Sequence, residues 1–305
     1  MVAATCLAVT VVILNGTPKT APAVNRPPIL GIAHVAFRVK DATEARNFFG
    51  HVLGFDELPL DETAKGKMRY TYFKVNDNQY IEISPTLSSP TEDRLINIAF
   101  RTTDVSGLRQ YLASHGVSVP GELRKDPEGD LSFSLKDPAG HTVEFTQYMP
   151  GSVESRNFGK FLSAKRTSKE IIHAGETVQD RTPADAFYHG ILGYRVMWYG
   201  GMTDNRTDWV DMEVPNGTNW LEFMLNVHNP SPRTLGVMNH FSLGVKDIQR
   251  AYSTVKARGY NAGKPQIGRD GKWQLNLYDA DLTRVEFMEF KPVQKPCCSP
   301  MIVNP

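Results

Sequence analysis

The sequence is poor in the features that mark disulfide-rich, nucleic-acid-binding and membrane proteins. Its 305 residues include only three cysteines, two of which, Cys297 and Cys298, are neighbours in a proline-rich tail. Adjacent cysteines have unfavourable geometry for a mutual bridge, so the sequence predicts no disulfide. The formal net charge is +1, which leaves no basic surplus to attract nucleic acid or an anionic membrane surface.

The apolar run at the N-terminus, residues 3–14, is too short to span a membrane, since a spanning helix takes about 20 residues. It is followed by Ala21-Pro22-Ala23, the A-x-A form that signal peptidase cuts. The basic residues that normally precede such a run are missing. We interpret residues 1–28 as a signal peptide or leader, which predicts a secreted or periplasmic protein. If residues 1–28 are not a leader, the predicted location is the cytoplasm.

What the sequence does contain is an internal repeat. Four segments each begin with an apolar strand, continue with a helical pattern and end with three short strands. The first strands are predicted at residues 31–37, 95–100, 171–175 and 238–243, the helices at 42–53, 105–115, 184–192 and 248–258, and the last strands at 79–84, 142–148, 220–225 and 284–290. Asp104 and Asp247 are predicted helix N-caps, and Gly116 and Gly259 follow the ends of those helices. The chain therefore reads as four βαβββ modules.

Each module carries one polar residue in its first strand and a glutamate in its last strand, separated by nearly the same interval. The pairs are His34 and Glu82, Asn97 and Glu144, His173 and Glu222, and His240 and Glu286. A carboxylate inside an apolar strand is costly to bury unless a cation or hydrogen bonds compensate it. These positions are therefore candidate metal ligands.

The interval between the second and third modules is longer than the other two, which predicts a domain boundary there. Small polar residues dominate the extra segment, so we assign residues 150–169 to a linker. The first domain then covers residues 29–149 and the second covers residues 170–292. Residues 293–305 form a tail rich in proline and cysteine.

The modules resemble the vicinal oxygen chelate superfamily, the group of glyoxalases, bleomycin-resistance proteins and extradiol dioxygenases. The resemblance rests on the His-x-x-Phe pattern of the first strand at residues 34–37, the helix end at residues 187–194, and the turns at residues 136–145 and 278–287. It extends over roughly residues 29 to 292. It implies an α+β fold in which four βαβββ modules pair into two glyoxalase-like eight-stranded cup domains.

The resemblance also implies a metal site on the floor of a cup, with ligands from the first and last strands of two modules. In the second domain these are His173, Glu222, His240 and Glu286. Such a mixed nitrogen and oxygen set suits one divalent ion, Zn, Ni, Co, Mn or Fe(II). The first domain has Asn97 in place of the second histidine, so we interpret its site as degenerate.

All four tryptophans lie in the second half of the chain. Aromatic walls around a few polar groups are typical of small-molecule pockets. We therefore predict that Trp209, Trp220 and Trp273 line a substrate pocket above the metal site. The expected partner is a small-molecule substrate, with no nucleic acid and no membrane span. The chain could be a monomer or a homodimer, because four modules already suffice for two cups.

Three functions remain open at this stage. The first is a metal-dependent lyase or isomerase like glyoxalase I, in which Glu222 or Glu286 is the catalytic base and the metal stabilises an enediolate. The second is an Fe(II) extradiol dioxygenase with His173, His240 and Glu286 as its facial triad. The histidine that dioxygenases have shortly before the last ligand is missing here. The third, a binding protein without catalysis, does not explain a full set of ligands.

Overall fold

The computed structural model describes residues 25–59, 70–126 and 129–302. The cleavage motif and the apolar run of the predicted leader lie outside the described residues. The described part forms two eight-stranded sheets, one from each half of the chain.

The first half contains strands β1 to β8 and helices α1 to α3. They are β1 (Ile29–Arg38), α1 (Ala42–Ala45, continued by a π-helical segment Arg46–Val52), β2 (Asp56–Glu57), β3 (Thr71–Asn76), β4 (Gln79–Ser84), β5 (Leu95–Thr102), α2 (Val105–Ser114), β6 (Arg124–Lys125), β7 (Leu131–Lys136), β8 (Thr142–Gln147) and α3 (Val153–Arg156).

The second half contains β9 to β16 and α4 to α6. They are β9 (Ile171–Val178), α4 (Arg181–Asp185, continued by a π-helical segment Ala186–Ile191), β10 (Arg195–Gly200), β11 (Trp209–Glu213), β12 (Trp220–Leu225), α5 (Pro232–Met238), β13 (His240–Val245), α6 (Ile248–Ala257), β14 (Gln266–Ile267), β15 (Trp273–Tyr278) and β16 (Arg284–Glu289).

The two sheets have the same topology. Their strand orders are β2-β3-β4-β1-β5-β8-β7-β6 and β10-β11-β12-β9-β13-β16-β15-β14. Within a module the first and last strands pair in parallel, and the first strands of two modules pair antiparallel at the sheet centre. This confirms the predicted α+β fold, with four βαβββ modules paired into two eight-stranded sheets. It also brings the candidate ligands of two modules to the middle of one sheet.

The predicted helix starts are confirmed in the second and fourth modules. The Asp104 side chain accepts a hydrogen bond from the Gly107 amide at the start of α2, and Asp247 accepts one from the Arg250 amide at the start of α6. These bonds satisfy amide groups that have no partner inside the helix.

Alternation along the strands separates a core face from a cup face. On β1, Val35 and Phe37 belong to the hydrophobic core, whereas His34 lines the cavity of the first cup. On β16, Val285 and Phe287 are core residues, whereas Glu286 lines the cavity of the second cup. The apolar half of each strand therefore stabilises the fold, and the polar half supplies the site.

The two halves share one hydrophobic core and a polar contact between their strands. Core residues of both sheets form a continuous cluster, within which the rings of Phe37 and Phe241 lie 5.7 Å apart. The Gln79 side-chain amide donates to the Ile171 carbonyl at 2.8 Å, and its oxygen accepts from the Ile171 amide at 2.9 Å. The predicted linker carries α3 and contacts the first sheet, where the Lys74 ammonium donates to the Asn157 carbonyl at 2.5 Å.

The tail corrects one expectation, because Cys297 and Cys298 are joined by a disulfide. The sequence-based argument assumed ordinary backbone geometry, but Cys298 adopts a φ of 71°. The tail is also anchored on both sides of the bridge: the Cys297 amide donates to the Arg269 carbonyl at 2.9 Å, and Ser299 Oγ accepts from the Tyr199 amide at 2.9 Å. The tail is thus docked on the edge of the second sheet. None of the described helices is long and apolar enough to cross a membrane.

Candidate metal centre

Two histidines meet at the centre of the second sheet. His173 lies on β9 and His240 on β13, and both are fully buried. Their Nε2 atoms are 3.1 Å apart, and the ring planes stand at 83°. The antiparallel pairing of β9 and β13 therefore brings together two residues that are 67 positions apart in the sequence.

The two predicted glutamates approach the same nitrogen atoms. Glu286 Oε2 lies 3.5 Å from His173 Nε2. Glu222 Oε2 lies 3.2 Å from His240 Nε2 and 3.7 Å from His173 Nε2. The structure thus brings all four sequence-predicted residues together. A ligand atom of each of His173, His240 and Glu286 lies within 4.8 Å of the other two, so these three form a group that could hold a metal ion.

The chemistry of the histidines fits a cation. His240 Nδ1 donates to the Met238 carbonyl at 2.8 Å, so its Nε2 is unprotonated and presents a lone pair to the site. The Arg284 guanidinium donates to this same Nε2 at 2.6 Å, which shows that the nitrogen attracts positive charge. Burial lowers the pKa of both imidazoles, most strongly that of His173, so both are neutral and able to act as ligands.

The glutamates differ in their protonation. Burial raises the pKa of Glu286 to about 8, and the nearby charges of Glu222 and Asp270 act in the same direction. Burial also raises the pKa of Glu222, but a hydrogen bond from a protonated His240 and the positive charges of a protonated His173 and of Arg284 act in the opposite direction and lower it. With both imidazoles neutral, Arg284 alone remains to lower it. Glu222 is thus the more readily ionised of the two glutamates, whereas Glu286 needs a nearby cation to be ionised at neutral pH. A divalent ion between Glu286 and the histidines would supply that charge.

A cavity of about 570 Å³ opens above these residues. Trp198, Trp209 and Trp220 line it, while Trp273 packs against the hydrophobic core instead. The Trp220 ring centre lies 5.0 Å from that of the His173 ring. The Lys272 ammonium lies 4.4 Å from the centre of the Trp220 ring, in a cation–π contact. Trp220 therefore lines the cavity and also packs against the candidate ligand His173.

Sequence reasoning missed the other ionisable residues of this cavity, among them Arg284 and Asp211. Arg284 lies two positions before Glu286 on β16, so the strand alternation could have placed it on the cup face. Asp211 pairs with Glu222 across β11 and β12, is almost fully buried, and has its pKa raised chiefly by burial. Its position depends on the register between two strands, for which the sequence holds no local signal.

A protein-family model, described as Glyoxalase/Bleomycin resistance protein/Dioxygenase superfamily, matches residues 31–145 and 170–287. The chain belongs to this superfamily. A comparison with curated proteins found no match. Among solved structures, this superfamily member is similar to an extradiol ring-cleaving dioxygenase from B. fuscum, with 20% identity and a TM-score of 0.64 over 92% of this chain and 76% of that chain.

A second similar structure is homoprotocatechuate 2,3-dioxygenase from Brevibacterium fuscum in complex with 3,4-dihydroxyphenylacetate. The identity is 20% and the TM-score 0.61, over 92% of each chain. At this level of identity the likeness establishes the two-domain fold of the superfamily member and not its reaction.

The two cups of this superfamily member differ at the candidate ligand positions. In the first cup the Asn97 amide donates to His34 Nε2 at 3.2 Å and to Glu144 Oε2 at 3.3 Å. The Arg124 guanidinium forms an ion pair with Glu144 at 3.3 Å, and His34 Nδ1 lies 3.1 Å from Glu82. Hydrogen bonds and a guanidinium thus compensate the buried carboxylate that a cation would otherwise neutralise.

Proposed function

We propose that the second cup binds one divalent metal ion and that the protein is an Fe(II)-dependent extradiol ring-cleaving dioxygenase. The observation that carries the proposal is the group of His173, His240 and Glu286. Two histidines and one carboxylate with open positions are the typical ligand set of non-haem Fe(II) oxygenases. The similarity to solved dioxygenases supports the same choice. This reverses our sequence-based order, in which the glyoxalase-like lyase came first.

The bound metal would supply a Lewis acid that gathers two adjacent substrate oxygens, and a redox centre for dioxygen. The surrounding residues have roles of their own. Glu222 lines the cavity beside His240, where its carboxylate accepts a hydrogen bond from a substrate hydroxyl. Arg284 offsets negative charge on the substrate oxygen. Trp209 and Trp220 provide flat apolar walls for an aromatic ring.

A glyoxalase-like lyase or isomerase is the second candidate, and two observations favour it. Glu222 approaches both imidazole nitrogens, so it is able to complete a four-ligand set. The chain from His240 to Glu286 also contains no further histidine to act as an acid or base. In that case Glu222 or Glu286 would take a proton from the carbon next to a substrate carbonyl.

Oxygen consumption separates the two candidates. The full chain is loaded anaerobically with Fe(II), mixed with catechols including 3,4-dihydroxyphenylacetate, and followed with an oxygen electrode and by absorbance. A dioxygenase consumes one dioxygen per catechol and forms a coloured ring-opened product. His240→Ala should abolish uptake, and His34→Ala, the matching change in the first cup, should retain it. Absence of uptake, together with metal-dependent exchange of carbon-bound protons in α-hydroxycarbonyl compounds, would establish the lyase instead.

A further inference from the structure

Gly175 lies directly beside the candidate metal centre. It is two residues after His173 on β9, and it pairs with His240 on one side and with Glu222 on the other. A Cβ at this position would meet His240 Cε1 and Nδ1 well inside contact distance, and His240 Nε2 at 3.1 Å. The His240 imidazole therefore occupies the space that any side chain of residue 175 would need.

The backbone does not explain this glycine. Gly175 lies inside a strand and is not among the glycines with a positive φ in the described part of the chain. Glycine inside a strand lacks side-chain packing, and a close approach by another group is one reason for it. Here the group that approaches is a candidate metal ligand.

His240 has little freedom to move aside. Its ring is fully buried, its Nδ1 is held by the Met238 carbonyl at 2.8 Å, and the His173 ring packs against it at a centroid distance of 5.2 Å. A methyl group on residue 175 would therefore displace the imidazole from its position, and His240 Nε2 would leave the neighbourhood of His173 Nε2.

The first cup offers an internal comparison at the same position. There Ala36 pairs with Asn97 on one side and with Glu82 on the other, as Gly175 pairs with His240 and Glu222. Ala36, which carries a Cβ, thus faces the shorter side chain of Asn97. Gly175, which has none, faces the imidazole of His240. The two positions differ together between the cups. The pseudo-symmetric positions do carry a Cβ, since Ser242 pairs with His173 and Ala99 pairs with His34, so the steric relation belongs to the orientation of the His240 ring and not to every histidine of a cup.

We propose that Gly175 is a positioning residue of the metal centre, because its lack of a side chain allows His240 to reach the site. Ala36 is then a second reason, besides Asn97, why the first cup does not form the same centre. This inference rests on the proposed function in one respect, namely that the second cup binds a metal ion.

The test compares Gly175→Ala with the unaltered chain by titration with Co²⁺ alone, followed by visible absorption and by metal analysis after dialysis. We expect Gly175→Ala to bind Co²⁺ about 10–100-fold more weakly, the range found when groups that orient metal ligands are removed. Gly121→Ala is the matched control, because a Cβ there meets nothing within 4 Å. It should bind Co²⁺ like the unaltered chain. Unchanged binding by Gly175→Ala would overturn the inference.

A double variant keeps the test decisive if Gly175→Ala is unstable. Gly175→Ala/His240→Asn reproduces the Ala36 and Asn97 pair of the first cup. Its thermal midpoint should return to that of the unaltered chain, and it should bind Co²⁺ no better than Gly175→Ala does. Failure to recover would mean that the clash is not with His240 and would also overturn the inference. If the unaltered chain itself binds no divalent metal, the proposed function fails, while the thermal midpoints still decide the steric relation.

Discussion

His173 and His34 occupy the same place in the two cups, which allows one histidine to serve as the control for the other. Each lies on the first strand of its sheet, opposite the first strand of the next module. We predict that His173→Ala abolishes metal binding and that His34→Ala leaves it intact. The reason is that His173 faces a second imidazole at 3.1 Å, whereas His34 faces the Asn97 amide at 3.2 Å.

The expected rise in the thermal midpoint follows from the free energy with which the metal binds the folded chain. A metal ion at 100 times its dissociation constant that binds only the folded chain stabilises it by about 2.7 kcal/mol. At about 2.1 cal/mol/K per residue, a chain of 305 residues has an unfolding entropy of about 0.64 kcal/mol/K at the midpoint. Each kcal/mol therefore raises the thermal midpoint by about 1.6 °C, and the unaltered protein should gain roughly 4 °C. His34→Ala should keep that gain. His173→Ala should show no gain at the same metal concentration.

The assay is differential scanning calorimetry of each variant with and without Zn²⁺ or Co²⁺ after treatment with a chelator. Each variant is compared with itself, because removing a buried imidazole also changes the metal-free midpoint. A metal-dependent gain that survives His173→Ala and disappears in His34→Ala would refute the assignment of the metal centre to the second cup. If both variants keep the metal-dependent rise in the thermal midpoint, neither histidine is a metal ligand.

Three further predictions concern the rest of the molecule. Asn97→His alone should leave the metal content unchanged by metal analysis, because Ala36 carries the Cβ that Gly175 lacks; an added equivalent of metal would contradict this. Burial raises the pKa of Glu154 to about 9, and the unfolded chain releases this proton near the ordinary value of 4.5, so unfolding becomes easier as the pH rises between these values. Glu154→Gln should remove this loss of stability, which is at most about 1.4 kcal/mol per pH unit. Urea unfolding of both chains at pH 5 and pH 8 measures it, and an equal pH dependence of the two chains would count against the prediction. The Cys297–Cys298 bridge predicts that reduction adds the mass of two hydrogen atoms to the tail peptide, and an unchanged mass would contradict the bridge.

Much of the fold could be predicted because its signals are local and repeated four times. Helix caps such as Asp104 and Asp247 act within one turn, and strand alternation needs only neighbouring residues. The regular interval between a first-strand histidine and a last-strand glutamate then gave the residues that converge in the second cup. Secretion, the monomeric or dimeric state and the identity of the metal stay predictions.

Other features depended on contacts between distant parts of the chain. The pairing of Gly175 with His240, and of Asp211 with Glu222, follows from strand register, which a shift of one residue would reverse. The Cys297–Cys298 bridge also escaped prediction, because the docked tail adopts a backbone conformation that average geometry disfavours.

The amino-acid sequence alone was enough to predict the repeat, the modules and the candidate ligands that face each cup, because the period of a strand fixes which side chains share a face. Asn97 already distinguished the first cup in the sequence, but the contacts that surround the ligand positions of each cup became visible only in the folded chain. In the first, Asn97 and Arg124 supply hydrogen bonds and positive charge to Glu144. In the second, His173 and Glu286 lie beside His240, whose imidazole occupies the space that a side chain at Gly175 would need. That difference arises from packing between strands of different modules, and no single segment of the sequence contains it.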